Sequence, residues 1–463
     1  MRRAVAASGS TALGGPADTG YAPADARPAP TEAGPVRRRR RSPTQHVVAA
    51  FQTFPVSSMV AAPFLLIIFP SAVLSDSQDK AFLLGMFVLG VLPPFIFELL
   101  IDLLRAALHL PVRAERIAAS LRRAQGRRWG AVYWTGVGLV LVGGTANILR
   151  ARAGVGTIQS QVGLADAGGG VLTSLLALFV SYDLLGVFIL TWCFAARAVG
   201  RARWLVPVGL AAGMKLVYVG LTGITEPLFS FIVGFFVIGF FLSTIRVRWM
   251  VAGVIGVVLA WPTFYRLRNQ ARLERGVWVS QDVSAADRLA LDRLVAAGHG
   301  IQPGQDIGQI SPLGVFRYGL LPRILDTSRP SLDTGSLISE HLLGGSGDSS
   351  VTFLQVATPY VLYGAGATVL LLTVTAAAVA LLVDAGRTLS IQAFLVMALV
   401  LSTALSWTGS YPDSFAGALQ RIVAAAPVLV LLTVLRWWRA PGALDPAVRA
   451  RRDELAQIAA LHR

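Results

Sequence analysis

The sequence predicts an all-α polytopic membrane protein. It reads as about ten transmembrane helices with both termini cytoplasmic and one large, partly helical outer loop between helices seven and eight. Three observations predict it. Of 463 residues, 54% are hydrophobic and only 14% charged, with a mean hydropathy of +0.62, where a soluble domain carries roughly 25% charged residues. Apolar stretches near the ~20 residues that cross ~30 Å of hydrocarbon recur along the chain. The arginines fall mainly between those stretches, on alternate sides, as topology requires.

Taken in order, residues 1–46 are rich in Ala, Pro, Gly and Arg, hold no aliphatic run and end in Arg37–Arg41. They predict a disordered basic cytoplasmic tail that is retained, since a secretory signal would need an apolar core and a cleavage site. Residues 47–265 hold helices one to seven, at about 52–74, 81–104, 129–149, 169–194, 204–221, 226–243 and 249–265. Residues 354–438 hold helices eight to ten, at about 354–383, 388–406 and 421–438, and 439–463 form a second cytoplasmic tail. With the N-terminus inside, arginines cluster on the inner side at 37–41, 105–128, 197–203, 246–248, 387 and 436–463. The short outer connections keep only Lys80, Arg150 and Arg152. This places the chain in the cytoplasmic membrane as a multi-pass protein with both ends inside.

The connection 266–353 is 88 residues long, far beyond a turn and therefore functional or disordered. Ser284 with Asp287 three positions on makes a capping box. Leu291, Leu294 and Val295 give one apolar helical face, and Gly298 can end the helix. Part of this loop is therefore expected to be ordered against the membrane.

Composition excludes several classes of function. A single cysteine, Cys193, rules out a disulfide framework and cysteine metal sites. Five histidines without an HExxH pair offer no dedicated metal site, so neither metal nor other cofactor is expected. The net charge of +16 comes from 39 Arg and 2 Lys. Their distribution between apolar runs, rather than on one soluble surface, argues against nucleic acid. Asp333-Thr334-Gly335-Ser336 spells an aspartic-protease signature but has no second copy for the dyad. Gly364-Ala365-Gly366 lacks a third glycine and a preceding strand, and no P-loop lysine motif exists. Asp76 and Asp79 suggest a metal-binding acidic pair, in a loop too short to hold an acceptor. No internal repeat or mirrored pair of broken helices is visible, which weakens an inverted-repeat transporter.

Three constellations remain. At the exit of the seventh span, Trp261 and Tyr265 make an outer aromatic anchor, and the helix continues through Arg266, Arg268, Arg272, Glu274 and Arg275. Arg268, Arg272 and Arg275 share one face. They present guanidinium groups at headgroup level, suited to a lipid-linked phosphate or diphosphate, or simply to anionic headgroups and the loop's own carboxylates. The second constellation is intramembrane charge. Asp183 lies mid-span in the fourth helix, Lys215 in the outer half of the fifth, and Glu226 opens the sixth. Such groups face a cavity or each other, so an Asp183–Lys215 pair tying two helices stands beside a functional role. Glu98, Asp102, Arg105 and His109 share a face near the cytoplasmic end of the second span and read as an interfacial salt-bridge ladder.

The third is 317–366, where the loop returns to the membrane. It carries Arg317, Arg323 and Arg329, then Asp333, Glu340-His341, a Gly-Ser run, Ser349, Ser350 and Thr352. A helix then opens with Tyr360 and Tyr363-Gly364-Ala365-Gly366. With the ten-span pattern and the large outer loop before the last spans, this stretch resembles Wzy-type oligosaccharide repeat-unit polymerases. The resemblance covers the span pattern and roughly 50 residues.

The resemblance implies a glycosyltransferase on the outer membrane face. A hydroxyl of one undecaprenyl-diphosphate-linked glycan attacks the anomeric carbon of another, and undecaprenyl diphosphate leaves. Positive charge for the leaving group would come from Arg150, Arg152, Lys215, Arg266, Arg268 or Arg272, and from Arg317, Arg323 and Arg329. A general base would come from His341, backed by Glu340 and Asp333. Partners would be the lipid-linked glycan, membrane lipid, a flippase and a chain-length regulator. Alternatives are an O-antigen-ligase-like transferase, a lipid-linked glycan flippase or transporter, and a non-catalytic scaffold of an envelope complex.

Overall fold

The chain is an all-α polytopic membrane protein. A computed structural model describes residues 43–125, 129–155, 171–274, 276, 284–287, 290–321, 326, 334–345, 351–384, 389–407 and 411–438. Among them there is no strand. The expected tails at 1–46 and 439–463 lie almost wholly outside the described residues.

Eight helices are long and apolar enough to cross a membrane, and two apolar helices are shorter. In chain order, α1 (Pro43–Thr53) leads into α2 (Pro55–Leu74), then α3 (Lys80–Ala107) and α4 (Arg113–Ala124). Next come α5 (Gly130–Arg152), α6 (Leu172–Ala195), α7 (Arg201–Thr222), the shorter α8 (Glu226–Phe241) and α9 (Val247–Leu273). Helices α10 (Leu291–Ala296), α11 (Pro312–Leu320) and α12 (Thr334–Leu342) belong to the long connection. It is followed by α13 (Leu354–Asp384), the shorter α14 (Ile391–Ala404) and α15 (Tyr411–Trp438). Each of the ten apolar stretches falls on helix among the described residues. The last begins ten residues earlier than hydropathy alone marks, at Tyr411 rather than 421, because Asp413, Gln420 and Arg421 depress the hydropathy of its first turns.

Local sequence explains the irregularities inside these helices. Pro63 and Pro70 remove two amide donors from α2, and the backbone between them, Phe64–Ile68, widens into a π-helical turn. In α13 the break falls at Gly364, whose φ of 79° and ψ of 179° suit glycine. The carbonyls freed near the break are taken by the long connection. Gly304 N donates to Val361 O at 3.0 Å and Gln309 Nε2 to Leu362 O at 2.9 Å.

Packing is built around α6. Every residue from Tyr182 to Cys193 is buried, which marks a helix enclosed on all sides by protein. Its backbone approaches α5 so closely that a Cβ at Gly143 would stand 2.2 Å from Asp183 N, the small-residue contact by which membrane helices pack. Aromatic rings fill the neighbouring space, with Phe194 stacked on Trp204 of α7 at 4.3 Å and Trp192 against Phe394 of α14 at 4.9 Å. A second contact joins α3 to α13, where Gly90 lies against Val356. Helix α9 is peripheral: of its 27 residues only Trp261 and Tyr265 are buried. Its exposed Val254, Ile255, Val258 and Leu259 suit a lipid solvent.

One face carries the long connection. The reciprocal bonds of the capping box form there, with Ser284 N donating to Asp287 Oδ2 at 3.0 Å and Asp287 N to Ser284 Oγ at 3.1 Å. The Ser284 hydroxyl and backbone amide hold the Asp287 carboxyl below its usual value. The regular helix starts later than expected, at Leu291, and closes in a 3₁₀ turn over Ala297–Gly300. Its apolar face turns inward as expected, with Val295 fully buried. Asp292 accepts from Ser71 Oγ at 2.7 Å and Ser75 Oγ at 3.2 Å, which docks α10 on the end of α2. His299 bonds Asp79 at 2.9 Å and stacks on Phe82 of α3. Asp79 is therefore engaged by protein, and Asp76 pairs with Lys80.

The opposite face is clasped by charge. Asp384, ending α13, accepts from Arg113 Nη2 at 2.8 Å, from Arg116 Nη1 at 3.1 Å and from Arg105 Nη1. Arg105 also donates to Pro111 O and Arg113 to Thr53 O, so α1, α3, α4 and α13 meet at one carboxylate. Burial and the nearby Arg105 and Arg113 charges push the Arg116 guanidinium below its ordinary value, while Asp384 pulls it back. Glu98 caps the start of α2 by accepting from Val56 N at 3.0 Å, Ser57 N at 3.2 Å and the Ser57 hydroxyl. The expected Glu98–Asp102–Arg105–His109 ladder does not form. Glu98 and Arg105 turn inward to other helices, where their bonds are shielded from water, and Asp102 and His109 take no part.

Removing one carboxylate should therefore unbalance three guanidinium groups. Asp384→Asn is expected to cost about 3–5 kcal/mol, while Arg122→Ala, at an exposed position of α4, leaves stability unchanged. Thermal unfolding of both variants in detergent checks this, and an unchanged midpoint for Asp384→Asn would contradict it.

Candidate functional site

The candidate site is built from helix ends on the loop-bearing face. Helix α7 ends at Gly223, whose φ of 72° gives the left-handed cap that turns the chain into α8. Charged side chains from three helix ends lie toward this end of α7. Arg150, near the end of α5, lies within electrostatic reach of Tyr218, and Tyr218 of Glu226. Glu226 accepts from Ser230 Oγ at 2.5 Å. From α9, Arg272 Nε donates to Gly223 O at 3.4 Å. Arg268 lies over the Tyr265 ring at 5.4 Å.

Arg150, Arg268 and Arg272 are thus half-buried, with Arg272 bonded at the α7–α8 corner, while Arg152 and Arg266 are exposed. Arg275 lies outside the described residues. Trp261 and Tyr265 are not lipid-facing anchors. Trp261 packs on Phe229 of α8 at 5.1 Å and donates to Ala285 O at 2.7 Å, because the long connection folds back over it.

Lys215 is placed elsewhere. Its Nζ stands 2.7 Å from Asp183 Oδ2, and the two side chains are 9% and 1% exposed. Asn147 Nδ2 reaches the same carboxylate at 3.3 Å and bonds Val180 O and Gly143 O, both at 2.9 Å. Leu184 N donates to Asp183 Oδ1 at 2.7 Å. The carboxylate accepts three bonds from protein, and the buried pair ties α6 to α7 within the bundle. Of the readings open for these charges in the sequence, the structure adopts the helix-tying one.

A second group surrounds α11. Ser311 caps the helix by accepting from Gly314 N at 3.0 Å. A cleft of about 460 Å³ opens between Gly308 and Tyr318, lined by Gln309, Ser311, Arg317 and Tyr318. Arg317 pairs with Asp326 at 3.0 Å and lies 5.4 Å over the Tyr318 ring. Phe316 packs on Phe415, Gln420 Nε2 donates to Tyr318 O at 3.0 Å, and Tyr363 donates its hydroxyl hydrogen to Ile310 O. The loop is thereby fixed to α13 and α15.

Helix α12 carries Glu340 and His341, both exposed. Its first turn is anchored, since Thr334 N and Oγ1 donate to Asp413 Oδ2 at 3.1 and 2.7 Å. His341 Nδ1 lies 3.2 Å from Leu337 O in its own helix. Asp333, Arg323, Arg329, Ser349 and Ser350 lie outside the described residues.

Sequence reasoning passed over three polar groups. Arg421 was the first residue of an apolar run, yet the helix begins at Tyr411 and places it inside a span. Asp413 appears from sequence as a solvent residue and is in fact the anchor of α12. Gln355, 1% exposed, makes no hydrogen bond to a described residue at either amide atom. The signal that finds Arg421 and Asp413 is spacing: 413, 417 and 421 fall on one helical face.

The Asp183–Lys215 contact yields a double-mutant prediction. Asp183→Asn leaves a buried ammonium unpaired and should cost about 3–5 kcal/mol, whereas Asp183→Leu with Lys215→Met recovers most of the loss. Unfolding midpoints of the single and double variants in detergent measure the coupling; additive losses would show that the pair does not hold the helices.

Comparison with known protein families, with curated proteins and with solved structures finds no match to this chain.

Proposed function

We propose that this protein is a membrane glycosyltransferase that polymerises undecaprenyl-diphosphate-linked oligosaccharide repeat units on the outer face of the cytoplasmic membrane. The observation that carries the reading is that half-buried arginines at two helix ends lie toward the end of α7, Arg150 within reach of Tyr218 and Arg272 bonded to Gly223 O, on the face that carries the long connection. Guanidinium groups held at helix ends stand at headgroup level, where a lipid-linked diphosphate resides, and Arg binds such oxygens bidentately.

In this reading a hydroxyl oxygen of the acceptor glycan forms a bond to the donor's anomeric carbon. The bond from that carbon to the diphosphate oxygen breaks, and its electron pair leaves with undecaprenyl diphosphate. Arg150, Arg268 and Arg272 offset the charge that develops there. His341 takes the hydroxyl proton, with Glu340 beside it in sequence. Arg317 and Tyr318 offer a charged edge and an aromatic face to the glycan in the cleft beside α11.

Purified protein in lipid, given the organism's own lipid-linked repeat unit without nucleotide sugar, is expected to produce a ladder of multiples and release undecaprenyl diphosphate. Loss of a guanidinium in Arg272→Ala should slow elongation about 10²–10³-fold. His341→Ala should abolish it while the protein still accumulates in the membrane. A bound repeat unit that is never elongated would overturn polymerisation, and unchanged chain length in His341→Ala would remove that residue from the mechanism.

A further inference from the structure

Arg421 stands about ten residues below the start of α15, near 15 Å along the helix axis, inside the span Pro412–Leu435. Among the described residues no carboxylate pairs with it. Its one hydrogen bond there runs from Nη1 to Thr403 Oγ1 at 3.0 Å. An arginine at such depth is costly and is found facing a cavity, a partner or an ion. The contrast within this chain is sharp, since Lys215 has Asp183, and Arg105, Arg113 and Arg116 share Asp384.

Arg421 is half-buried, and among the described residues its N–H groups other than the one used by Thr403 meet no partner. No residue of α15 from Pro412 to Ile422 is fully exposed, so this part of the helix is packed by protein on most sides. One turn above, a Cβ at Gly417 would meet nothing closer than Thr403 Cγ2 at 4.0 Å. Asp413, Gly417 and Arg421 follow each other at intervals of four along one face, and Asp413 marks the loop-bearing end.

The helix opposite is built to match. Helix α14 has nine α-helical residues and a π-helical turn over Val400–Ala404, so it spans only about 21 Å. It therefore stops short of the loop-bearing face. A π-turn offers irregular backbone, which membranes tolerate only where it lines protein or a water-filled space. Thr403 belongs to that turn, with Ser402 in it and Ser406 just beyond, all three buried.

We propose that Arg421 and Thr403 form the seat of a phosphate-type oxyanion, entered from the loop-bearing face past Gly417. A guanidinium whose remaining donors meet no described residue, beside a hydroxyl, matches the oxygens of a phosphate or diphosphate. The need for an anion follows from the intramembrane charge and does not rest on the glycan reading. Two sources share this chemistry: the phosphate of a lipid headgroup drawn below the membrane surface, and free phosphate from solution.

The test uses the full chain in phosphatidylcholine nanodiscs, with undecaprenyl phosphate or inorganic phosphate as the added probe. Bound probe is counted by native mass spectrometry, and stabilisation is read from the unfolding midpoint. Wild type is expected to bind one probe molecule per chain and to unfold at higher temperature. Arg421→Gln should bind at least tenfold more weakly, and Arg421→Lys should keep part of the affinity. Gly417→Val keeps the charge but fills the passage, and should lose binding with an unchanged midpoint in the absence of probe. Stabilisation by undecaprenyl phosphate alone assigns the seat to a lipid headgroup, and stabilisation by inorganic phosphate at the same residues assigns it to the free anion. Equal binding by wild type and Arg421→Gln, or failure of both probes to bind wild type, overturns the proposal. Loss of polymerisation with the seat intact would overturn the glycan reading alone.

Discussion

The cost of placing charge away from water organises this structure. Four basic side chains that pure hydropathy would leave outside the bundle are drawn in, and each meets a carboxylate. Asp384 holds three guanidinium groups and so fixes the ends of α3, α4 and α13 against the α1–α2 junction. Asp183 holds Lys215 and fixes α6 against α7. Lipid tails are as apolar as leucine, so apolar contact alone gives membrane helices little reason to choose one neighbour over another. Paired charges and close glycine contacts supply that choice.

The long connection obeys the same logic on the opposite face. Its helices are short and could not stand alone, since an isolated helix of fewer than about twelve residues is marginal in water. Each is held to the membrane helices by a specific polar bond: Asp292 of α10 to Ser71, Tyr318 O of α11 to Gln420, and Thr334 of α12 to Asp413. The break at Gly364 completes the arrangement by freeing carbonyls that the connection then satisfies. A loop held in this way can present residues such as Arg317 and Tyr318 in fixed geometry above the bundle.

These two faces frame the chemistry. Arg150 and Arg272 lie at helix ends toward the end of α7, and Arg421 lies deeper with a hydroxyl beside it. The first group suits a headgroup at the membrane surface and the second an anion drawn below it. Among the described residues no group of three or more His, Cys, Asp or Glu is placed to hold a metal ion.

The sequence by itself determined the helices. Ten apolar stretches, the capping box at Ser284 and the inward face of Leu291, Leu294 and Val295 were legible because they depend on neighbours three to four residues apart. Its candidate arginines at the end of α9 were legible for the same reason. Partner choice was decided only by tertiary structure. Glu98 and Arg105 share a helical face but bond to Ser57 and Asp384, which lie 41 and 279 residues away. Trp261 looked like a lipid anchor until the connection folded over it. Arg421 became an intramembrane charge only because α15 starts at Tyr411, through bonds and packing that Gln420 and Phe415 make with α11. Periodicity reports which side of a helix is apolar; which helix that side meets depends on contacts between residues far apart in the chain.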